Sequence, residues 1–270
     1  MAEQLRLKHM VNKNYNKKRH YELLKKKSMG INLQEYSSEL RKYSCMLEAQ
    51  LDWQGREGYL KLLEDFQKGK IEDFEFCFAF EERGLLITDI LDILQANLIL
   101  LSPHEKSNHF SSFVSVTIDI CKSYIENADD NDEDSKIEFE NLIEEIYLQI
   151  QEILKEDRTT LKDSTDFSEL VDQLSWETKD QYFELIEEFL DESTNFLNFK
   201  KKYESLVGVA KELESNSIFL EPSYRALGFS NFIHILIQLF DRYQMDPKIR
   251  PKVFKSWVRK ILLEMKNHYS

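Results

Sequence analysis

A chain of 270 residues with 42% hydrophobic and 31% charged residues has the material for a packed core under a solvated surface, and its net charge is −13. Only 7 Gly and 4 Pro are present, too few for the turns of a β-rich fold of this length, so an all-α chain of helices joined by short loops is expected. The three cysteines, Cys45, Cys77 and Cys121, are odd in number and form no CxxC pair. They read as small core thiols in a reducing compartment.

The most apolar run, 85–101, contains Asp89 and Asp92 and is too short between them to cross a bilayer. No membrane association and no signal peptide are expected. Heavy use of Lys, Asn, Ile, Phe and Tyr fits an AT-rich genome, so a cytoplasmic or organellar setting, plastids included, is the expectation.

In chain order, residues 1–30 hold nine Lys/Arg against two acids. Lys13, Lys17, Lys18, Arg19, Lys25, Lys26 and Lys27 surround Tyr15 and Tyr21. This segment is either a flexible basic arm for RNA or a piece that folds back onto acidic parts of the chain. Leu33, Tyr36, Leu40, Tyr43 and Leu47 are spaced for a docked helix, so 1–50 reads as a basic arm and docking helix.

Tyr59, Leu62, Leu63 and Phe66 fall at i, i+3, i+4 and i+7, one buried helix face, and Gly69 ends that helix. Phe74, Cys77, Phe78 and Glu81 predict a second helix. The alternation Phe74, Phe76, Phe78, Phe80 also suits a strand, but the flanking acids favour helix. A third helix is expected over 87–100. Ser102-Pro103-His104-Glu105 has the form of a capping box with proline in the first turn, opening a fourth helix with Phe110, Phe113, Val114, Thr117, Ile118 and Cys121. Ser135-x-x-Glu138 is a second capping box, opening a fifth helix that runs to Leu154.

The chain then repeats itself. Leu51-x-Trp53, Tyr59, Leu62, Glu64, Phe66, Phe76 and Glu81 recur 123 positions later as Leu174-x-Trp176, Tyr182, Leu185, Glu187, Phe189, Phe199 and Glu204. Leu101-x-Pro103, Phe110, Ser111, Phe113, Ile118 and Tyr124 recur 119 positions later as Leu220-x-Pro222, Phe229, Ser230, Phe232, Ile237 and Tyr243. Phe139, Ile143 and Ile146 match Phe254, Val258 and Ile261 at 115. Each four-residue loss falls between blocks, where a fold tolerates deletion. Two tandem, similar antiparallel helical bundles are expected: an acidic copy over 51–157, a polar linker over 158–173 with room for one short helix, and a neutral copy over 174–270. Helix starts in the second copy are placed near Glu221-Pro222 and Asp246-Pro247.

Nothing in the sequence points to catalysis. His104 and His109 are five apart, no HExxH pair exists, and there is neither a Gly-rich phosphate loop nor a GxSxG. No catalytic residue, metal or cofactor is expected. Trp53 and Trp176, at equivalent positions, read as core residues in preference to a ligand platform. Asp52 and Arg56 read as an i, i+4 pair at a helix end.

The informative feature is charge. Residues 51–173 hold eleven Lys/Arg against thirty acids, whereas 174–270 hold fourteen of each. The acids peak in Glu126, Asp129, Asp130, Asp132, Glu133 and Asp134 and continue through Glu138, Glu140, Glu144 and Glu145, while the matching loop of the second copy, 245–250, ends in Lys248 and Arg250. The acidic run is either a solubilising loop or a surface for a basic partner.

Tyr59-Leu60-x-Leu62-Leu63-x-x-Phe66-x-x-Gly69-x-Ile71, followed by Phe74, Phe78, Glu81 and Glu82, resembles the opening of the bacterial colicin and pyocin immunity proteins of the nuclease-inhibitor type. The second copy keeps Tyr182, Leu185, Ile186 and Phe189 but has Glu192 where Gly69 stands. The resemblance implies small helical bundles that use an acidic surface to block a basic nuclease site. The combined expectation is a non-enzymatic binding protein whose acidic first bundle docks a basic macromolecule; the alternative is an RNA- or ribosome-associated protein that binds through the basic arm.

Overall fold

The computed structural model describes residues 15–127, 133–155, 167–192, 195–220, 223–246 and 248–269. They form an all-α protein of eleven α-helices, with one 3₁₀ turn at Gln34–Tyr36. The chain divides into two compact units, residues 1–164 and 165–270.

The first unit contains α1 (Lys17–Ser28), α2 (Ser37–Gln54), α3 (Arg56–Gln67), α4 (Asp73–Ala96), α5 (Ser107–Glu126) and α6 (Glu133–Leu154). Helix α2 packs against α4 and α5, α5 also packs against α6, and α3 closes against α4 and α6. The second unit contains α7 (Phe167–Glu177), α8 (Lys179–Leu190), α9 (Phe196–Ser215), α10 (Tyr224–Met245) and α11 (Pro251–Tyr269). Here α7 packs against α9 and α10, and α11 packs against α8 and α10.

The repeated residues build one aromatic framework twice. Trp53–Phe110 and Trp176–Phe229 both have centroids 6.0 Å apart, and Tyr59–Phe110 and Tyr182–Phe229 both 6.1 Å. Phe66–Phe139 at 5.8 Å is matched by Phe189–Phe254 at 5.9 Å, and the Tyr124–Phe139 stack at 4.2 Å by Tyr243–Phe254 at 4.1 Å. Such pairs add to the burial energy of their rings. Backbone specials match too. Gly69 and Glu192 both have φ of 65°, and Leu98 and Ser217 have 56° and 53°. The internal duplication is therefore apparent in ring geometry and in chain reversals alike.

Several element boundaries differ from expectation. Helix α2 runs unbroken through position 51, and α7 through 174, so the repeated unit starts upstream of both and takes in residues 167–173 of the expected linker. The predicted second and third helices are one, α4, with Gly84 inside it. A Cβ at Gly84 would lie 2.8 Å from Ile118 Cδ1, so this glycine serves the close approach of α4 and α5 rather than a break. Phe76, Cys77 and Phe80 face inward while Phe74 and Phe78 are exposed, the helical alternative of that ambiguous run.

Ser102 opens no helix. Helix α5 starts at Ser107, because His104 is drawn onto α2: its N–H donates to Gln50 Oε1 at 2.7 Å and its ring stacks on Trp53 at 4.2 Å. Ser135 lies inside α6, which already includes Glu133. In the second unit the helices begin at Tyr224, capped by Ser223, and at Pro251, both after the expected starts. Cys77 and Cys121 are buried as expected, but Cys45 is exposed.

Candidate functional site

The expected acidic face falls on the end of α5 and along α6. Glu126, Glu133, Asp134, Glu138 and Glu145 are all exposed. Asp129, Asp130 and Asp132 lie outside the described residues. Helix α6 is held by Phe139, Ile143, Ile146, Ile150 and Leu154, an inward stripe of period 3.6. The rest of its surface carries more than acids, with Ile137 and Leu148 opposite that stripe and Leu142 on its flank. Ile137 is 47% exposed, Leu142 37% and Leu148 60%, interleaved with Glu138, Glu144, Glu145 and Glu152. Sequence counting of charge found the acids and missed these apolar neighbours; the signal was available in the heptad positions that the core does not use.

Beside this face, the turn after α3 meets α6 in a polar cleft of roughly 500 Å³. Gly69 and Ile71 line one side, Glu72 and Asp73 the start of α4, and Glu140 and Glu144 the helix opposite. Gly69 makes the turn possible, since φ of 65° suits glycine at little cost. Asp73 Oδ2 accepts a hydrogen bond from the Tyr124 hydroxyl at 2.5 Å. Burial, then this bond, raise the Tyr124 phenol above its ordinary value. Lys136 also lines the cleft, so four carboxylates stand against one ammonium, and the excess suits a cationic group better than an anion.

The basic residues fold differently from a free arm. Lys17, Lys18, Arg19, Lys25, Lys26 and Lys27 all lie on α1, while Lys13 lies outside the described residues. Leu23 packs with Tyr43 and Met46 of α2, flanked by Tyr15, Tyr36 and Leu40. Arg19 grips Glu39 through two bonds, Nε–Oε1 at 3.1 Å and Nη2–Oε2 at 3.0 Å. That fork raises the Arg19 pKa and lowers that of Glu39. His20 is fully buried, stacked on Tyr43 at 5.3 Å, with Nδ1 3.1 Å from the Tyr15 hydroxyl. Burial pushes its pKa down to about 4, so it is neutral near pH 7.

A third feature was not read from the sequence. Asp52 and Arg56 lie on successive helices that meet at Gly55. Arg56 lies over the Trp53 ring at 4.4 Å and donates to the Trp53 carbonyl at 2.7 Å. Asp52 is buried and accepts from the Tyr59 hydroxyl at 3.1 Å and from Ser111 Oγ at 2.6 Å. Arg83 supplies the compensating positive charge, with its guanidinium over Tyr59 at 5.1 Å and a bond to the Gly55 carbonyl at 2.7 Å.

Asp52, Tyr59 and Ser111 wall a groove of roughly 520 Å³ between α2, α4 and α5. Burial first, then the Asp52 charge, drive the Tyr59 phenol far above its usual range. Tyr59 is thus fixed as a donor and Asp52 has an O–H on each oxygen. The cluster ties α2, α3 and α5 together as a buried polar network, in which Arg83 Nε is left without a hydrogen-bond partner.

No group of three or more His, Cys, Asp or Glu side chains arranged to hold a metal ion occurs among the described residues. No described helix is long and apolar enough to cross a membrane. Comparison with protein-family models, with curated proteins and with solved structures finds no match to this chain.

Proposed function

We propose that this chain is a non-enzymatic binding protein whose first unit docks a basic protein through the outer face of α6 and the cleft beside it. The observation that carries the reading is the interleaving of Ile137, Leu142 and Leu148 with Glu138, Glu144 and Glu145 on one exposed helix. A surface whose only task is solubility gains nothing from exposed leucines. An apolar centre with charges around it is the composition of a docking face, where burial supplies affinity and the charges supply encounter rate and selectivity. The cleft with Glu72, Asp73, Glu140 and Glu144 then receives a cationic side chain of the partner. A nuclease toxin, the partner class that the immunity-type resemblance implies, has the required basic surface.

The test is affinity capture with the full chain against a variant carrying Glu138→Lys, Glu144→Lys and Glu145→Lys. These positions are exposed, so the fold should be retained. Basic proteins recovered with the parent chain should be lost with the variant. Equal recovery by both refutes the reading.

The second reading rests on α1, which concentrates five lysines within twelve residues. RNA binding that weakens steeply with added salt, and disappears when Lys18 and Lys27 become glutamate, supports it; absence of RNA affinity at low salt removes it.

A further inference from the structure

The last helices of the two units, α6 and α11, are equivalent through Phe139/Phe254, Ile143/Val258 and the buried pair Ile150/Met265. Their outward positions can therefore be compared one by one. Glu144 stands where α11 has Arg259, and Glu145 where it has Lys260. Ile137 is replaced by Lys252, and Glu152 by Asn267. The apolar positions are kept: Leu142 corresponds to Trp257 and Leu148 to Leu263. Leu148 is 60% exposed and Leu263 59%. Arg259, Lys260 and Lys252 are exposed as well. In total α6 carries seven acids against one lysine, and α11 five Lys/Arg against one glutamate.

Two surfaces of one shape thus share apolar anchors and carry opposite charge at matching positions. We propose that the basic surface received by α6 is the α11 face of a second copy of this chain, a partner assignment that rests on the docking role of α6 proposed above. Leu142 and Leu148 meet Trp257 and Leu263, and Glu144 and Glu145 meet Arg259 and Lys260. Each chain owns both faces, so every copy can offer its α11 to the α6 of another. One helix pair is small beside the roughly 1,200–2,000 Å² of standard interfaces, so a concentration-dependent association is expected. A salt-sensitive association follows, because Glu144, Glu145, Arg259 and Lys260 are solvent-exposed charges.

The experiment is sedimentation velocity of the full chain over a concentration series at low and high salt, with two double variants. Glu144→Arg with Glu145→Lys puts cations at the paired positions of both faces. Arg259→Glu with Lys260→Glu puts carboxylates at the paired positions of both. The parent chain should sediment above its single-chain mass of 32.2 kDa at low salt and return toward it at high salt. Each variant alone should remain at the single-chain mass, and an equimolar mixture of the two should associate. A parent chain that stays at the single-chain mass at every concentration, or a mixture that does not associate, overturns the proposal. If the parent stays single while the Glu138, Glu144 and Glu145 variant still loses capture of another basic protein, this inference fails and the docking role stands.

Discussion

The cleft between the α3–α4 turn and α6 has a counterpart in the second unit, between the α8–α9 turn and α11, and the two have diverged. In the first unit it measures roughly 500 Å³ and is lined by Glu72, Asp73, Glu140 and Glu144 with Lys136. In the second it measures roughly 370 Å³, and the equivalents of Glu72, Asp73 and Glu140 are Asn195, Phe196 and Lys255. Phe196 stacks on Phe240, and Lys255 reaches across to Glu192 at 2.7 Å. The rings beneath, Phe66 and Phe139 against Phe189 and Phe254, barely change. The lesson is that the framework is shared where rings interlock, while one cleft is wider and predominantly anionic and the other is narrower and carries a lysine.

The largest effects should come from exchanging the buried polar positions between units. Asp52, Tyr59 and Ser111 correspond to Ser175, Tyr182 and Ser230, and Arg83 to Leu206. Ser175→Asp would place a carboxylate in a fully buried site with leucine where the guanidinium should be. The expected cost is about 5 kcal/mol at pH 7, shrinking in acid as the carboxyl takes a proton. Asp52→Ser leaves Arg83 without its countercharge and should cost about 3 kcal/mol. Urea unfolding, with hydrogen exchange read separately in each unit, distinguishes the two. Equal costs would break the contrast.

An acid response driven by a buried histidine should be confined to the first unit, because α1, which carries His20, has no counterpart in the second. The folded His20 pKa, about 4, lies below the ordinary value near 6.5. The neutral form is therefore the folded one, and its stabilisation is complete above about pH 6.5 and is lost as pH falls toward 4. The linked free energy is about 3 kcal/mol, enough to release α1 from α2. Hydrogen exchange over 17–28 should accelerate across that window and not over 224–245, and His20→Phe should remove the dependence.

The smallest effects concern the shared left-handed turns. Gly69→Ala forces a Cβ into φ of 65° and should cost about 1 kcal/mol. Glu192→Gly should stabilise the second unit by about 0.5 kcal/mol, since relief of the same strain exceeds the worth of an exposed pair with Lys255. Thermal unfolding of both variants reads the two signs; the same sign in both would undo the equivalence of the turns.

The all-helical class and the paired aromatic positions were legible because period and spacing are properties of the chain. Gly69 was legible as a helix end for the same reason. The rest required three dimensions. Gly84 looks like a break until Ile118 is seen against it. Ser102-Pro103-His104-Glu105 has every local mark of a helix start, yet stacking of His104 on Trp53 outcompetes the cap. The Asp52–Arg83 relationship spans two helices, so no motif announces it. The zero net charge of 174–270 hides a cationic α11 balanced by acids elsewhere, because a regional sum does not resolve helix faces.

The three tryptophans occupy three different surroundings: Trp53 sealed under His104 and Arg56, Trp176 half-buried near Lys179, and Trp257 on the open side of α11. A dissolved quencher such as iodide reaches the last of these most readily. Its emission is therefore a label-free gauge of whether that helix is covered, while the sealed indole reports the integrity of the first bundle.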